Sequence, residues 1–204
     1  MGRPSFREKL VASGVHTVHS RGFATVGLRE ITATAGVAQG SFTNHFASKE
    51  DFGVAVLDAY FEQIQGVIGK TLRDETRTPI ARLRAYFETI TALFDASGWR
   101  YGCLIGNMAL EAAEHSESIR NRLGEIFGEW TPPFAEVIRL AQAAGELHAD
   151  LDPEETGAAL LEAWHGAMLR MKIDRSVAPL DRFKRLTFPA LLAAPVRNGA
   201  RQGP

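Results

Sequence analysis

Apolar residues recur at helical spacing along almost the whole chain, and this periodicity restricts the fold more than any other feature. In the first such segment the apolar stripe comprises Phe6, Leu10, Val11, Gly14, Val15 and Val18. Residues three and four apart share one face of an α-helix, whereas a half-buried strand alternates with a period of two. The sequence shows no sustained alternation bounded by hairpin turns. It therefore predicts an all-α fold.

Start and stop signals divide this pattern into separate helices. Ser48 can cap a long fourth helix, Pro79 suits a first helical position, and Asp152-Pro153 combines both signals. Pro132-Pro133 should interrupt the apolar pattern between two later helices. The predicted helices span approximately residues 5–20, 28–35, 39–45, 48–73, 79–96, 103–114, 117–144, 153–174 and 179–193.

Composition indicates an ordinary globular protein. The 204 residues are 45% hydrophobic and 23% charged, which is enough for one or two domains. The N-terminal segment is charged where a signal peptide is apolar, and no apolar run reaches the roughly 18 residues of a spanning helix. The single cysteine, Cys103, excludes an internal disulfide. We therefore expect a cytoplasmic protein with no membrane partner.

Charge is distributed unevenly, although the formal net charge is only −1. Residues 1–52 carry two more basic than acidic residues, and the rest of the chain carries three more acidic than basic. This weakly favours an anionic partner, such as the phosphates of DNA, at the N-terminal end.

Residues 28–45 have the pattern of a helix-turn-helix, in which two short helices meet across a tight corner. Gly36 stands where the chain must turn, because glycine tolerates positive φ and close backbone approach. Thr32 is small enough for the helices to cross, and Phe42 would close the corner together with Ile31 and Val37. The outward positions of the second helix are then polar and free of acids: Gln39, Ser41, Thr43, Asn44 and His45.

Each of these outward side chains can hydrogen-bond to DNA. Gln and Asn can pair with adenine edges, while Ser, Thr and His can meet phosphates or bases. Lys49, at the start of the fourth helix, could add a phosphate contact. The alternative is a helical ligand-binding or interaction module whose polar face is merely solvated and binds no DNA.

The stretch GVAQGSFTNHFASKEDF, within residues 5–60, resembles the DNA-binding domain of the TetR family of transcriptional repressors. The shared features are a Gly-Val corner, a short recognition helix, then His-Phe and Ser-Lys-Glu. The resemblance implies a homodimer that binds a palindromic double-stranded DNA operator and leaves it when a small molecule enters the C-terminal domain. It also implies that the five outward polar residues form the recognition surface and that Lys49 contacts the DNA backbone.

Two positions depart from the family pattern. Thr43 stands where the family usually has tyrosine, so a long phosphate contact becomes a short hydroxyl. Gly27 stands where a Ser or Thr often caps the second helix, which leaves only backbone N–H groups to meet DNA there. We therefore expect operator affinity to depend more strongly on Thr25, Arg29 and His45.

The resemblance also implies the domain organisation. Residues 1–52 form a three-helix helix-turn-helix domain that continues into the long fourth helix, to about residue 73. Residues 53–194 form a helical bundle for ligand sensing and dimerisation. Residues 195–204 carry no packing signal and should form a disordered tail.

Cys103 is a candidate sensor in the C-terminal part. It follows Gly102 at a predicted helix start, where exposed N–H groups can lower the pKa of a thiol, and Arg100 adds a nearby positive charge. A thiolate so placed could react with electrophiles or oxidants. The alternative is a small buried hydrophobic side chain, the commoner state of a free cysteine.

Three further segments, GCLIGNMALE, KEDFGVAVLDAYF and HGAMLRMKIDRSVAPL, resemble the TetR subgroup typified by the N-ethylmaleimide repressor. In that subgroup the cysteine of a Gly-Cys-Leu motif senses electrophiles, and Cys103 matches it. Lys172 matches a lysine of the same subgroup, and its ammonium group would favour a thiolate or trap an oxidised sulfur.

Related proteins bind small ligands without covalent chemistry, and this chain has side chains for such a pocket. His165 could orient a ligand carboxylate or carbonyl, or simply satisfy a backbone group. An aromatic-rich wall with few polar groups suits a small molecule, although each residue could equally belong to the core. The candidates are Trp99, Tyr101, Asn107, Met108, Glu111, Trp130, Phe134, Trp164, His165 and Met168.

The last two predicted helices carry more apolar side chains than one core needs. These are Leu160, Leu161, Trp164, Ala167, Met168, Phe183, Leu186, Phe188 and Leu191. A homodimer through a four-helix interface would bury the surplus and present two recognition helices about one DNA turn apart.

No catalytic constellation is present in the sequence, which lacks a G-x-S-x-G elbow, a phosphate-binding glycine loop and H-E-x-x-H. His16 and His19 are spaced to share a metal, but they have no evident third ligand and should be surface residues. We therefore expect neither an enzyme nor a bound cofactor or metal.

Overall fold

Helices account for all the regular secondary structure in residues 5–193, the part of the chain that this computed structural model describes. The predicted all-α fold class is confirmed. The tail predicted for residues 195–204 lies outside the described residues. The helices are α1 Phe6–Arg21, α2 Leu28–Thr34, α3 Gly40–Thr43, α4 Lys49–Thr71, α5 Pro79–Ala96, α6 Leu104–Ala112, α7 Glu117–Trp130, α8 Pro132–Ala143, α9 Pro153–Asp174, α10 Ala178–Arg182, a π-helical turn Phe183–Thr187 and α11 Phe188–Leu191.

Side-chain caps explain where four of the helices, α1, α4, α7 and α9, begin. The Ser5 Oγ accepts from the Glu8 N–H while the Glu8 carboxylate accepts from the Ser5 N–H, which completes a capping box. The Asp152 carboxylate accepts from the Glu155 N–H at 3.0 Å ahead of α9. The predicted break at Pro132-Pro133 is confirmed, because α7 ends at Trp130 and α8 begins at Pro132.

Two predicted helices differ from the observed ones. The segment predicted at 39–45 is regular helix only over Gly40–Thr43, since Gly, Thr and Asn are weak helix formers and the chain turns at Asn44. The segment predicted at 179–193 is divided into α10, a π-helical turn and α11. Pro179 and Pro189 stand near the starts of the two α-helical pieces, where a missing N–H costs no helical bond.

Close packing of α1 against α4 forms the core of the N-terminal part. Gly14 permits this approach, because a Cβ there would lie 2.3 Å from the Phe52 ring. Phe42, Phe46 and Phe52 form an aromatic cluster with ring centroids 5.2–5.5 Å apart, which joins α3 to α4. Ring contacts of Phe42 with Phe46 and with Phe52 of α4 therefore set the position of α3. Phe6, predicted in the buried stripe of α1, is 55% exposed instead.

Helix α4 continues from this core and packs against α5 and α7 of the C-terminal bundle. In that bundle Phe87 contacts the rings of Phe134, Trp164, Phe183 and Phe188. This aromatic cluster packs helices α5, α8 and α9 against the π-helical turn and α11. The domain boundary at residue 52 remains a prediction, since α4 crosses it without a break.

The apolar surplus predicted on the last helices is largely absent, and that argument was wrong. The bundle of a single chain already covers Leu160, Leu161, Trp164, Met168, Phe183 and Phe188, each at most 3% exposed. Of the residues proposed for the surplus, Leu186 is 55% exposed. Leu169 and Ile173, which the sequence reasoning overlooked, are 49% and 67% exposed.

Within residues 5–193, no helix combines the length and the hydropathy needed to cross a bilayer.

Candidate functional site

The corner between α2 and α3 has the geometry of a helix-turn-helix. Gly36 adopts φ +65°, a left-handed conformation that side chains rarely adopt, and the Val37 N–H donates to the Thr32 carbonyl at 3.0 Å. Ile31 is fully buried and Phe42 is 2% exposed behind the corner. These contacts fix the angle at which α3 leaves α2.

The predicted recognition surface lies on the outer side of this corner. Gln39, Thr43, Asn44 and His45 are exposed, and Ser41 is half-buried. Residues 39–45 include no acid, so no negative charge of this segment opposes an approaching phosphate. Thr25, Gly27 and Arg29 are also exposed, on and just before α2.

Several predicted DNA contacts already bond within the protein. The hydroxyl of Thr25 donates to the Arg21 carbonyl at 2.6 Å, and that of Thr43 donates to the Gly40 carbonyl at 3.1 Å. Since phosphate oxygens only accept, either hydroxyl must rotate before it can donate to DNA. The Lys49 ammonium lies 3.3 Å from the Ala24 carbonyl and over the Phe23 ring. Gly27 caps α2 without a side-chain hydrogen bond.

A cavity of about 880 Å³ lies between helix α1, helix α4 and the C-terminal bundle. Helices α1 and α4 form much of its wall through Val15, His19, Tyr60 and Ile64, among others. The rest of the wall comes from α5, the loop before α6, one residue of α7 and two residues of α9. The volume lies in the range of small-molecule sites, and exposed charged residues such as Glu62 border its apolar interior.

The structure brings only part of the predicted sensing set to this cavity. Cys103, Trp130, Trp164 and Met168 line it, as does Tyr101. The Trp130 indole N–H donates to the Tyr86 hydroxyl at 3.0 Å, so these two rings form one polar point in an apolar wall. Sequence reasoning missed wall residues on three helices, α1, α4 and α5, among them Val15, His16, His19, Tyr60, Ile64, Tyr86, Ile90 and Phe94.

Cys103 is buried, and burial raises the pKa of its thiol. The N–H groups of Gly106 and Ile105, at the start of α6, and the Tyr60 hydroxyl act in the opposite direction. The expectation of a lowered thiol pKa was therefore wrong, because desolvation outweighs the helix terminus. Burial likewise raises the pKa of the Tyr60 and Tyr86 hydroxyls, so this end of the cavity disfavours negative charge.

Asn107, Glu111 and Lys172 line a separate polar cleft of about 250 Å³. The Lys172 ammonium donates to the Asn107 Oδ1 at 3.0 Å, and the Asn107 amide donates to the Tyr101 carbonyl. The Glu111 carboxylate accepts from the Ala24 N–H at 3.2 Å and thus contacts the loop between α1 and α2. These residues form a junction between the two halves of the chain.

His19 belongs to the same junction and lines both the cavity and the cleft. Its Nε2 donates to the Gly102 carbonyl at 2.7 Å, and its ring packs against Tyr60 and Tyr101. Burial lowers its pKa, and the charge of Lys172 lowers it further, while the bond to Gly102 opposes both. The expectation of a surface histidine was wrong, because α6 and its preceding loop cover this face of α1.

The other predicted pocket residues line neither space in the described part of the chain. Met108 is 1% exposed and Phe134 is fully buried, so both belong to the core. Trp99 is half-buried in the loop before α6. His165 bonds through Nδ1 to the Leu161 carbonyl and packs its ring on Phe127 and Trp130. Sequence periodicity could not separate such core positions from cavity positions, because both lie on the inner faces of helices.

Residues 5–193 contain no cluster of three or more potential metal ligands among His, Cys, Asp and Glu.

Comparison with known proteins identifies both halves of the chain. Residues 10–56 match the family described as bacterial regulatory proteins, tetR family. Residues 79–187 match the family described as tetracyclin repressor-like, C-terminal domain. The second match alone covers more than half of the chain.

Curated relatives extend over nearly the full length. The chain is 41% identical to the HTH-type transcriptional repressor DhaR of Mycobacterium sp. strain GP1, covering 94% of this chain and 95% of that protein. It is 34% identical to the transcriptional regulator AcuR of Cereibacter sphaeroides, with 87% and 81% covered. It is 30% identical to the HTH-type transcriptional repressor NemR of Escherichia coli K12, with 86% and 88% covered.

Solved structures show the same architecture. A regulatory protein TetR from Rhodobacter sphaeroides superposes with a TM-score of 0.85 at 34% identity, covering 91% of this chain and 97% of that one. The reduced form of E. coli NemR superposes with a TM-score of 0.80 at 28% identity, with 94% and 100% covered. The helix-turn-helix with its C-terminal helical domain is thereby confirmed, as is the resemblance to the N-ethylmaleimide-repressor subgroup.

These relatives are transcriptional repressors and regulators, not enzymes. A matching helix-turn-helix domain, a matching C-terminal domain and near-complete coverage by relatives lead to one conclusion: the chain belongs to the TetR family of bacterial DNA-binding transcriptional regulators.

Proposed function

We propose that this protein represses transcription by binding a palindromic operator as a homodimer, and that a small molecule in the 880 Å³ cavity releases it. The observation that carries the proposal is the position of α1. This helix supplies cavity wall through Val15 and His19 and also packs against α2 of the helix-turn-helix. A molecule that displaces α1 therefore changes the orientation of the DNA-binding surface.

For the DNA side, the proposal assigns base contacts to α3 and its flanks. Asn44 and His45 are exposed and have side chains that can reach base edges or phosphates. Gln39, Ser41 and Thr43 complete this surface. Arg29 and the backbone near Gly27 would contact phosphates beside this surface. Lys49 would also contact a phosphate, once its ammonium no longer bonds to the Ala24 carbonyl.

For the signal, the proposal favours a reversibly bound ligand. The cavity interior is mainly apolar, and burial holds the Cys103 thiol protonated, which slows its attack on electrophiles. Trp130, Trp164 and Met168 would pack against such a ligand from the inner end. The protein would repress transcription in the cytoplasm, where the controlled DNA lies.

An electrophile or oxidant signal at Cys103 is the second candidate. One observation favours it: the cysteine lines the cavity, so a reactive compound that fits there reaches the thiol. Lys172, the proposed partner of the sulfur, lies along the adjoining cleft with its ammonium on Asn107. A covalent route would therefore require Lys172 to leave Asn107.

Fluorescence anisotropy with labelled duplex from the region upstream of its own gene tests the DNA-binding proposal. We expect salt-dependent binding that Asn44→Ala or His45→Ala weakens by about tenfold, because each removes a base or phosphate contact. Asn121→Ala, an exposed amide on α7, is the matched control and should bind like the parent. If Asn44→Ala and His45→Ala both bind like the control, the assigned surface is wrong; if the parent shows no affinity for this duplex, the proposed site of repression is wrong.

A further inference from the structure

The polar cleft at the junction between the two halves carries an excess of positive charge. Its wall combines the end of α1, the loop before α6, α6 itself and the end of α9. Four cationic side chains, Arg21, Arg100, Lys172 and Arg175, line it against a single carboxylate, Glu111. We propose that this cleft is a binding site for a phosphate group, either inorganic phosphate or a small phosphate monoester.

Most of this positive charge has no counter-charge in the protein. Arg21 pairs with Glu30, but Arg100, Lys172 and Arg175 form no ion pair with any residue in the range 5–193. The bond from the Lys172 ammonium to Asn107 is to a neutral oxygen. Three cations gathered in one concavity repel each other, so a dianion placed between them lowers the energy of the folded protein.

Among residues 5–193, the carboxylate in the cleft forms no ion pair with these cations. Glu111 instead bonds to the Ala24 N–H and lies over Gly22, where a Cβ would be 3.0 Å from its oxygens. The positive field of the cleft also reaches His19, whose pKa is lowered first by burial and then by the charge of Lys172. The charge of Lys172 thus acts on a neighbouring side chain of α1, His19.

Two of the cationic wall residues, Arg100 and Arg175, lie next to or at a residue with positive φ. Trp99 and Arg175 have φ of +61° and +51° and are the non-glycine residues with positive φ between residues 5 and 193. One immediately precedes Arg100, and the other is itself a cationic wall residue at the end of α9. A left-handed residue is a common helix C-cap, and here it ends α9 at a wall residue of the cleft.

The residue types suit a phosphate group. Arginine guanidinium groups present paired N–H donors that match two phosphate oxygens, and a lysine adds a mobile point charge. A volume of about 250 Å³ accommodates a phosphate with a small ester substituent. Arg21 belongs to α1 and Arg175 to the end of α9, so a bound phosphate would tie the DNA-binding half to the sensing half.

Isothermal titration calorimetry of the full chain tests this site with inorganic phosphate and, separately, with glycerol 3-phosphate, at ionic strength held constant with chloride. We expect saturable binding by the parent and at least fivefold weaker binding by Arg100→Gln and by Arg175→Gln. Arg170→Gln is the matched control, because Arg170 lies on the same helix but pairs with Asp174 outside the cleft. It should bind as tightly as the parent.

The two ligands identify the source of the phosphate: tighter binding of glycerol 3-phosphate supports a monoester site, and tighter inorganic phosphate supports a free-ion site. Absence of saturable heat with both ligands overturns the proposal, as does an equal loss of binding in Arg170→Gln.

Duplex-DNA anisotropy in phosphate-free buffer gives a further check. If Arg100→Gln and Arg175→Gln both lose DNA affinity while Arg170→Gln keeps it, the cleft serves the DNA backbone and the proposal fails. Arg100→Gln remains decisive if Arg175→Gln does not fold, since the Arg100 side chain is exposed.

Discussion

Cys103 is acted on by two opposing effects. Its position before α6 directs the N–H groups of Ile105 and Gly106 towards the sulfur, which stabilises a thiolate. Its burial removes water from the same sulfur, which destabilises the thiolate, and burial is the larger effect. The thiol should therefore be neutral in the folded protein near pH 7.

The alkylation rate of Cys103 by iodoacetamide should report this protonation state. Because thiolate is the reacting form, we expect slower alkylation in the folded than in the urea-unfolded chain. The rate should rise with pH, and its midpoint in the folded protein should lie above that of the unfolded chain, since the folded pKa is the higher one. Mass spectrometry over a pH series measures both, with Cys103→Ser as the blank, since the chain has one cysteine. Faster alkylation of the folded protein at pH 7 would instead support an activated thiol.

Helix α1 connects the two proposed activities because its opposite faces have different neighbours. One face contacts α2 and α4, while His19 bonds to Gly102 in the loop before α6. Just beyond its end, Glu111 of α6 holds the Ala24 N–H. A displacement of α6 or its loop is therefore transmitted to the segment that leads into the helix-turn-helix.

Removal of the Glu111 carboxylate should loosen this connection. In Glu111→Ala the Ala24 N–H loses its acceptor, so we expect faster deuterium uptake in peptides covering residues 19–27. Uptake in α8 and α9 should stay unchanged, because their packing does not involve this bond. Hydrogen-exchange mass spectrometry measures both regions, and Glu114→Ala, an exposed acid three residues later, is the control. Equal uptake by the two variants in residues 19–27 would contradict a role for Glu111 at the junction.

Within residues 5–193, a small apolar surface on α9 is left uncovered by the core. Leu169 and Ile173 are four residues apart, so they lie on one face of the helix, and both are largely exposed. Leu186 of the π-helical turn is exposed as well. An apolar face of this kind is suited to pairing with a second copy of the chain.

The proposed homodimer should depend on this face. A Leu169→Glu/Ile173→Glu variant places two like charges there, and we expect analytical ultracentrifugation to show a monomer where the parent is a dimer. Operator affinity should fall by more than about tenfold, because a monomer reads one half-site. Leu110→Glu alters a 77% exposed leucine on a different helix, α6, and should remain dimeric. A monomeric parent would contradict the dimer itself, whereas a dimeric double variant would place the interface elsewhere.

Local chemistry of the chain was sufficient to specify most of the helices and the helix-turn-helix corner. Ser48 and Asp152 cap helices as predicted, and Gly36 turns the corner with positive φ. These signals act over a few residues, through backbone conformation and nearby hydrogen bonds, so they can be read in sequence order.

Only the folded structure determined which inner-facing residues meet around a space and which are simply packed. Val15 and His19 line the cavity and Met108 lies in the core. Glu111 lies at the junction rather than in the expected pocket. Burial likewise reversed the expected pKa direction of Cys103. Such outcomes depend on helices far apart in the chain approaching one another, and the desolvation they cause has no counterpart in local residue spacing.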